Sequence, residues 1–125
     1  MIHHINYLVT RDQARECAVF WELLGFESVD PGDDLRDRAV WVRRAGQEIH
    51  FEHAPRDRQD AARIGEGPPA GHVALVVDDF DQVCAQIEAR GGSVDHRTPY
   101  WGSPRAFITD PAGHRIEIMA HPPAE

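Results

Sequence analysis

Residues 4–9, HINYLV, and residues 72–77, HVALVV, are two versions of one pattern: a histidine opening an apolar run, repeated 68 positions later. A second pair has nearly the same offset. His50 sits in EIHFEH (48–53) and Glu117 in RIEIMA (115–120), 67 positions apart. Each half therefore carries a metal-capable side chain near both of its ends. A chain built from two such halves can close one metal site between them.

The flanking sequence gives each half the same plan. Residues 2–9 read as a strand, and Thr10 with Gln13 has the spacing of a capping box. A helix then runs to about Leu24 with Cys17, Phe20, Trp21 and Leu24 as its apolar stripe, and Gly25 stops it. Short strands are expected near 26–29, 38–43 and 47–53, with Gly46 turning the last two. The second half repeats this: a strand over 71–77, Asp79 and Gln82 as a capping pair, and a helix bearing Phe80, Val83, Cys84 and Ile87. Gly91 and Gly92 end that helix. Strands near 93–96, 104–109 and 114–120 follow, the last two joined by the turn Asp110-Pro111-Ala112-Gly113. Residues 54–70 are polar, with Gly and Pro near their end. They read as a connection, with a short helical turn at Asp60–Ile64. One domain spans 1–125: module one 1–53, connection 54–70, module two 71–121.

Side-chain alternation places the candidate ligands. Ile5, Tyr7 and Val9 share one face, and His4, Asn6 and Leu8 the other. Ile49 and Phe51 oppose Glu48, His50 and Glu52. Val73, Leu75 and Val77 oppose His72, Ala74 and Val76, while Ile116 and Ile118 oppose Arg115, Glu117 and Met119. All four candidates, His4, His50, His72 and Glu117, thus lie opposite a strongly apolar face suited to packing under a helix. Leu8, Ala74, Val76 and Met119 share their side, which fits a partly apolar cleft with a few converging polar groups. Three imidazoles and a carboxylate suit a divalent transition metal: zinc, nickel, manganese, cobalt or iron. His3, His53, His96, His114 and His121 read as polar surface residues.

Composition narrows the function classes. The chain has 125 residues, is 42% hydrophobic and carries a formal net charge of −8. That balance argues against a nucleic-acid binder. No run has the length of a membrane span, and the N-terminus shows no basic-then-apolar leader, so the expected location is cytoplasmic. Cys17 and Cys84 occupy equivalent places in the two helices and read as small buried hydrophobes rather than a disulfide.

The segments HHINYLV, FWELLGF, GHVALVVDD and, most specific of all, FITDPAGHRIEIM resemble the vicinal oxygen chelate superfamily, the glyoxalase/bleomycin-resistance/dioxygenase group. The resemblance covers nearly the whole chain. It implies an α+β fold of two βαβββ modules whose mixed sheet curls around a cleft holding a metal. It maps the family's ligands onto His4, His72 and Glu117. The fourth position, late in module one and Glu or Gln in many relatives, falls here on His50. Either His50 completes the metal site, or it faces the substrate beside a two-His-one-carboxylate set.

The family's shared chemistry is binding of a substrate oxygen directly at the metal. The resemblance thus implies a glyoxalase- or epimerase-like lyase or isomerase, or a small dioxygenase, acting on an oxygenated small organic molecule. Glu117 or His50 would move the proton if it leaves the metal during turnover. Asn6, Glu48, Tyr100 and Trp101 are the candidate substrate contacts, with Glu52 a further carboxylate on the cleft side. The alternative is a metal-free protein that sequesters a drug, as the antibiotic-resistance relatives do. The resemblance also implies a homodimer, in some relatives with each site between chains.

Overall fold

The structure is a computed structural model that describes residues 1–55 and 71–123. The expected helical turn at Asp60–Ile64 lies outside the described residues. Module one runs β1 (His4–Val9), α1 (Arg11–Glu22), β2 (Glu27–Val29), β3 (Ala39–Arg44) and β4 (Gln47–His53). Module two runs β5 (Val73–Val76), α2 (Phe80–Ala89), β6 (Asp95–Tyr100), β7 (Ser103–Thr109) and β8 (Arg115–Met119). The two sheets have orders β1-β4-β3-β2 and β5-β8-β7-β6, so the expected duplication is present as topology. In each, the first strand runs parallel to the last and the remaining pairs are antiparallel. Among the described residues the strands form two four-stranded sheets, and no ladder joins them into one.

Local chemistry sets the element ends. Thr10 and Gln13 make a full capping box: each backbone N–H of the pair donates to the other's side chain, satisfying two N–H groups that the helix start leaves unpaired. Asp79 makes half of one. It lies in the left-handed region (φ 47°), and its carboxylate accepts from Gln82 N–H. Ala45-Gly46 and Trp101-Gly102 are two-residue turns with positive φ at both positions, the hairpin geometry that follows strand twist. The sixth strand starts later than the sequence suggested, at Asp95, and reaches Tyr100. The Gly91-Gly92 stop lies tight against Ile87, whose backbone oxygen accepts from Gly92 N–H, and this delays the strand.

One apolar core serves both modules. Trp21, Cys17 and Leu24 of the first helix meet Val42, Ile49 and Phe51, and the same cluster continues through Val83, Cys84, Ile87, Ile108, Ile116 and Ile118. Both cysteines are buried and free, as their helix positions suggested. Helices cover the apolar sheet faces, so the opposite faces remain for the histidines and Glu117.

Candidate active site

Parallel pairing of β1 with β4 sets Asn6 beside His50 and His4 beside Glu48. The rings of His4 and His50 stack with centroids 4.1 Å apart. The other face of His50 lies on Trp41, 3.8 Å away and almost parallel to it. His50 is thus held between two rings. Its Nε2–H donates to Glu48 Oε1 at 2.9 Å, and Arg43 grips Glu48 Oε2 through Nε (2.7 Å) and Nη2 (2.6 Å). Glu48 is 4% exposed. The His50 hydrogen bond, aided by Arg43, holds its carboxyl below the usual carboxylate range. With Nε2 committed to a carboxylate, Nδ1 is the nitrogen left to take a ligand or a proton.

In module two, the β8 register places Ala74 and Phe107 on either side of Glu117. His72 Nε2 lies 3.1 Å from Glu117 Oε1, 45 positions further along the chain. Arg105 Nη1 approaches the other oxygen, Oε2, at 3.5 Å. Arg105 is itself fixed: its guanidinium lies 3.6 Å from the Tyr100 ring centroid and its Nε–H donates to Thr98 O. The Phe107 ring meets His72 edge-on at 4.9 Å.

The four candidates therefore form two ready-made pairs, His4 with His50 and His72 with Glu117. Within one chain these pairs are not drawn into one metal-sized group. Among the described residues, the set of three or more His, Cys, Asp or Glu ligand atoms lying within 4.8 Å of one another is Cys17, Asp110 and His114. Both pairs border first strands whose ligand-bearing face is open: His4, Asn6 and Leu8 on β1 are exposed, as are His72, Ala74 and Val76 along β5.

The remaining sequence candidates are distributed as follows. Glu48, expected to touch substrate, is buried and occupied by His50 and Arg43. Asn6 and Glu52 bond each other at 3.0 Å on the exposed side. Tyr100 and Trp101 are about half exposed at the β6–β7 turn. Tyr100 reaches the site through Arg105, whereas Trp101 Nε1–H donates to His121 O. A cavity of about 560 Å³ between the helices, lined by Val19, Phe20, Ile87 and Arg90 among others, includes none of the four candidates.

The Cys17–Asp110–His114 group lies within a buried hydrogen-bond network. Asp110 Oδ1 accepts from the N–H groups of Ala112 and His114, and Oδ2 accepts from Trp21 Nε1 and His114 Nδ1. Those four donors fill the carboxylate's usual acceptor positions. Burial, reinforced by the Asp110 charge, pushes the Cys17 thiol far above its usual value. His114, expected at the surface, is buried and stacks on Tyr7 at 3.7 Å. The correction follows from its partner: the turn aspartate turns inward and takes the histidine with it.

Trp41, Arg43 and Phe107 were not singled out from sequence. Their signal was hairpin register. Once Ala45-Gly46 is a two-residue turn, Arg43 must face Glu48 and Trp41 must face His50. The Asp110–Gly113 turn sets Phe107 against Glu117 in the same way.

Comparison with known proteins agrees with this architecture. Residues 1–118 match the family model described as Glyoxalase/Bleomycin resistance protein/Dioxygenase superfamily. A lactoylglutathione lyase of Escherichia coli O157:H7 is 38% identical over 56 residues, covering 42% of this chain and 42% of that protein. The matched region is thus less than half of either chain. Among solved structures, a Bacillus anthracis protein assigned to the glyoxalase family aligns with a TM-score of 0.73 at 24% identity, covering 95% of this chain and 93% of that one. A variant of the fosfomycin resistance protein FosX from Listeria monocytogenes, complexed with Mn(II) and 1S,2S-dihydroxypropylphosphonic acid, aligns with a TM-score of 0.71 at 16% identity, covering 98% and 90%. At these identities the two structures speak to the fold.

Proposed function

The chain belongs to the glyoxalase/bleomycin resistance protein/dioxygenase superfamily, and from that premise we propose that it is a metal-dependent lyase or isomerase acting on an oxygenated small organic substrate. The proposed centre takes His4 and His50 from one protomer and His72 and Glu117 from the partner of a homodimer. The observation that carries this reading is the division of the ligands into two prepared pairs, His4 with His50 of β4 and His72 with Glu117 of β8, which border the open faces of β1 and β5 and do not converge within a chain.

The donors fit a divalent metal. Three imidazoles and one carboxylate are borderline-hard ligands of suitable charge, and two of them already have orienting partners: Glu48 on His50 and Arg105 on Glu117. When bound, the metal would act as a Lewis acid toward charge developing on a substrate oxygen. The chain's own residues do the rest. The Trp41 and His4 rings fix the His50 plane, and Glu48 fixes its tautomer, so Nδ1 is presented to the metal and can take a proton only when it leaves the metal. Arg105 stands by the second oxygen of Glu117 at 3.5 Å. Tyr100 keeps Arg105 in place.

Metal analysis of the purified protein tests this. We expect stoichiometric divalent metal in the wild type after exposure to zinc, nickel, manganese, cobalt or iron(II). It should fall below about a tenth in His72→Ala and Glu117→Ala, where two ligand–metal bonds are lost or weakened. Turnover would then be sought among α-hydroxycarbonyl and catechol compounds. A metal-free wild type that binds a drug tightly would establish the sequestering alternative instead, using the apolar surface exposed at Leu8, Val76, Tyr100 and Trp101.

A further inference from the structure

Three guanidinium groups stand on the ligand-bearing face of module two, in a chain whose net charge is −8. Cross-strand register places Arg97 beside Arg105 and Asp95 beside Phe107 on that face, and Arg115 alternates with Glu117 along β8. Two of the three are matched. Arg97 pairs with Asp95 at 2.7 Å. Arg105 holds Tyr100, Thr98 O and Glu117. Arg115 is held differently, with Asp95 near enough to feel its charge but not in direct contact. Its guanidinium lies 3.8 Å from the Phe107 ring centroid. Among the described residues, no carboxylate oxygen lies within 4.0 Å of it and its side chain makes no hydrogen bond. It is half-buried.

A guanidinium laid flat on an aromatic ring presents its edge, with paired N–H groups, to whatever lies beyond. The same Phe107 ring touches His72 on its edge, so Arg115 and the His72–Glu117 pair share one wall. Alternate residues of a strand are separated by roughly 7 Å. The β5–β8 register, one step before the Val73–Ile116 pair, sets His72 next to Arg115. An anion held by Arg115 would therefore lie within two or three bonds of an oxygen meeting His72 and Glu117. A planar fork of N–H donors matches a planar carboxylate.

From this we propose that Arg115 is a specificity-determining residue and that the substrate is a small 2-oxo or 2-hydroxy carboxylate, its acid group held by the Arg115 fork. The inference rests on the functional reading above for the identity of the site, but its test does not require metal. Protein stripped with EDTA is titrated with sodium pyruvate and sodium lactate, with lactamide as the neutral analogue and inorganic phosphate as the rival anion. Binding is followed by calorimetry and by the arginine Nε–H resonances.

Pyruvate and lactate should bind, shift the Arg115 Nε–H signal, and bind at least about tenfold more weakly to Arg115→Gln, the loss expected for a charge-assisted hydrogen bond. Arg115→Lys, which keeps charge without the fork, should fall between. Arg97→Gln should bind as the wild type does, and lactamide should not bind. Equal binding by Arg115→Gln, equal binding of lactamide, binding of phosphate without the carboxylates, or no carboxylate binding at all would overturn the proposal. The wild-type resonance and Arg115→Lys decide the matter if Arg115→Gln does not fold. Metal content is measured separately. A metal-free protein that still binds carboxylates through Arg115 would remove the metal reading alone. A metal-loaded protein indifferent to carboxylates would remove this inference alone.

Discussion

Trp21 Nε1–H donates to Asp110 Oδ2 across 3.0 Å, linking the helix of module one to the last turn of module two, 89 positions away. Both side chains are buried. With Tyr7 stacked on His114, the bond forms a polar seam through the core shared by the modules. Its energetic weight comes from an asymmetry: a buried acceptor whose donors are removed costs more than the bond itself contributes. Trp21→Phe should therefore destabilise by about 1–3 kcal/mol. Asp110→Ala, which leaves the His114 ring, the indole N–H and two backbone N–H groups without their acceptor, should cost about 3–5 kcal/mol. Chemical denaturation curves check both, and a loss under 1 kcal/mol for Asp110→Ala would contradict the seam.

His53 predicts a pH dependence. Its Nδ1–H donates to Asp37 O, while Nε2 is buried with no hydrogen-bond partner among the described residues. Burial, the largest cause, lowers its pKa below the usual histidine value. The fold thus favours neutral His53. Its contribution to stability is complete above the unfolded value, about 6.5, and is lost as pH falls from there through the lower folded value. The wild type should lose stability between pH 7.5 and pH 5, and His53→Gln should lose less over the same interval. Parallel pH profiles of the two proteins, measured by urea denaturation, would exclude this role.

Much of this arrangement was legible in the sequence because strands write their faces as alternation. The parity that set His4, His50, His72 and Glu117 opposite the apolar residues is the parity of the fold. Thr10 and Gln13 announced the first helix, and the Asp110–Gly113 turn announced the last hairpin. What alternation does not encode is a partner on another element. The sequence marks Asp110 as a turn residue, but not as the acceptor for Trp21. It marks His114 as a polar residue after a glycine, but not as buried under Tyr7. Glu48 has cleft parity, yet Arg43 and His50 enclose it. Each of these depends on how the modules or neighbouring strands pack, information carried by register and tertiary contact rather than by local period.

Glu48 offers a test of positioning separate from ligation. It does not belong to the proposed ligand set, but it fixes His50 through Nε2 at 2.9 Å. Glu48→Gln retains the volume and an acceptor oxygen while weakening the grip of Arg43. Metal affinity should fall about 10-fold, within the range that outer partners of metal-bound histidines usually contribute. Fold and dimerisation should be retained. Competition with a chelator reads the affinity. An unchanged affinity would remove Glu48, and with it His50, from the account.

The most direct measurement pairs two disabled chains. One carries His4→Ala with His50→Ala, the other His72→Ala with Glu117→Ala, and each alone should bind no metal. Coexpressed and isolated as a mixed dimer by two affinity tags, they bring the intact module one of the second chain to the intact module two of the first. The account predicts one metal per mixed dimer, half the wild-type content. A mixed dimer as empty as its parents, beside a wild type that binds metal, would show that the site is not shared between chains.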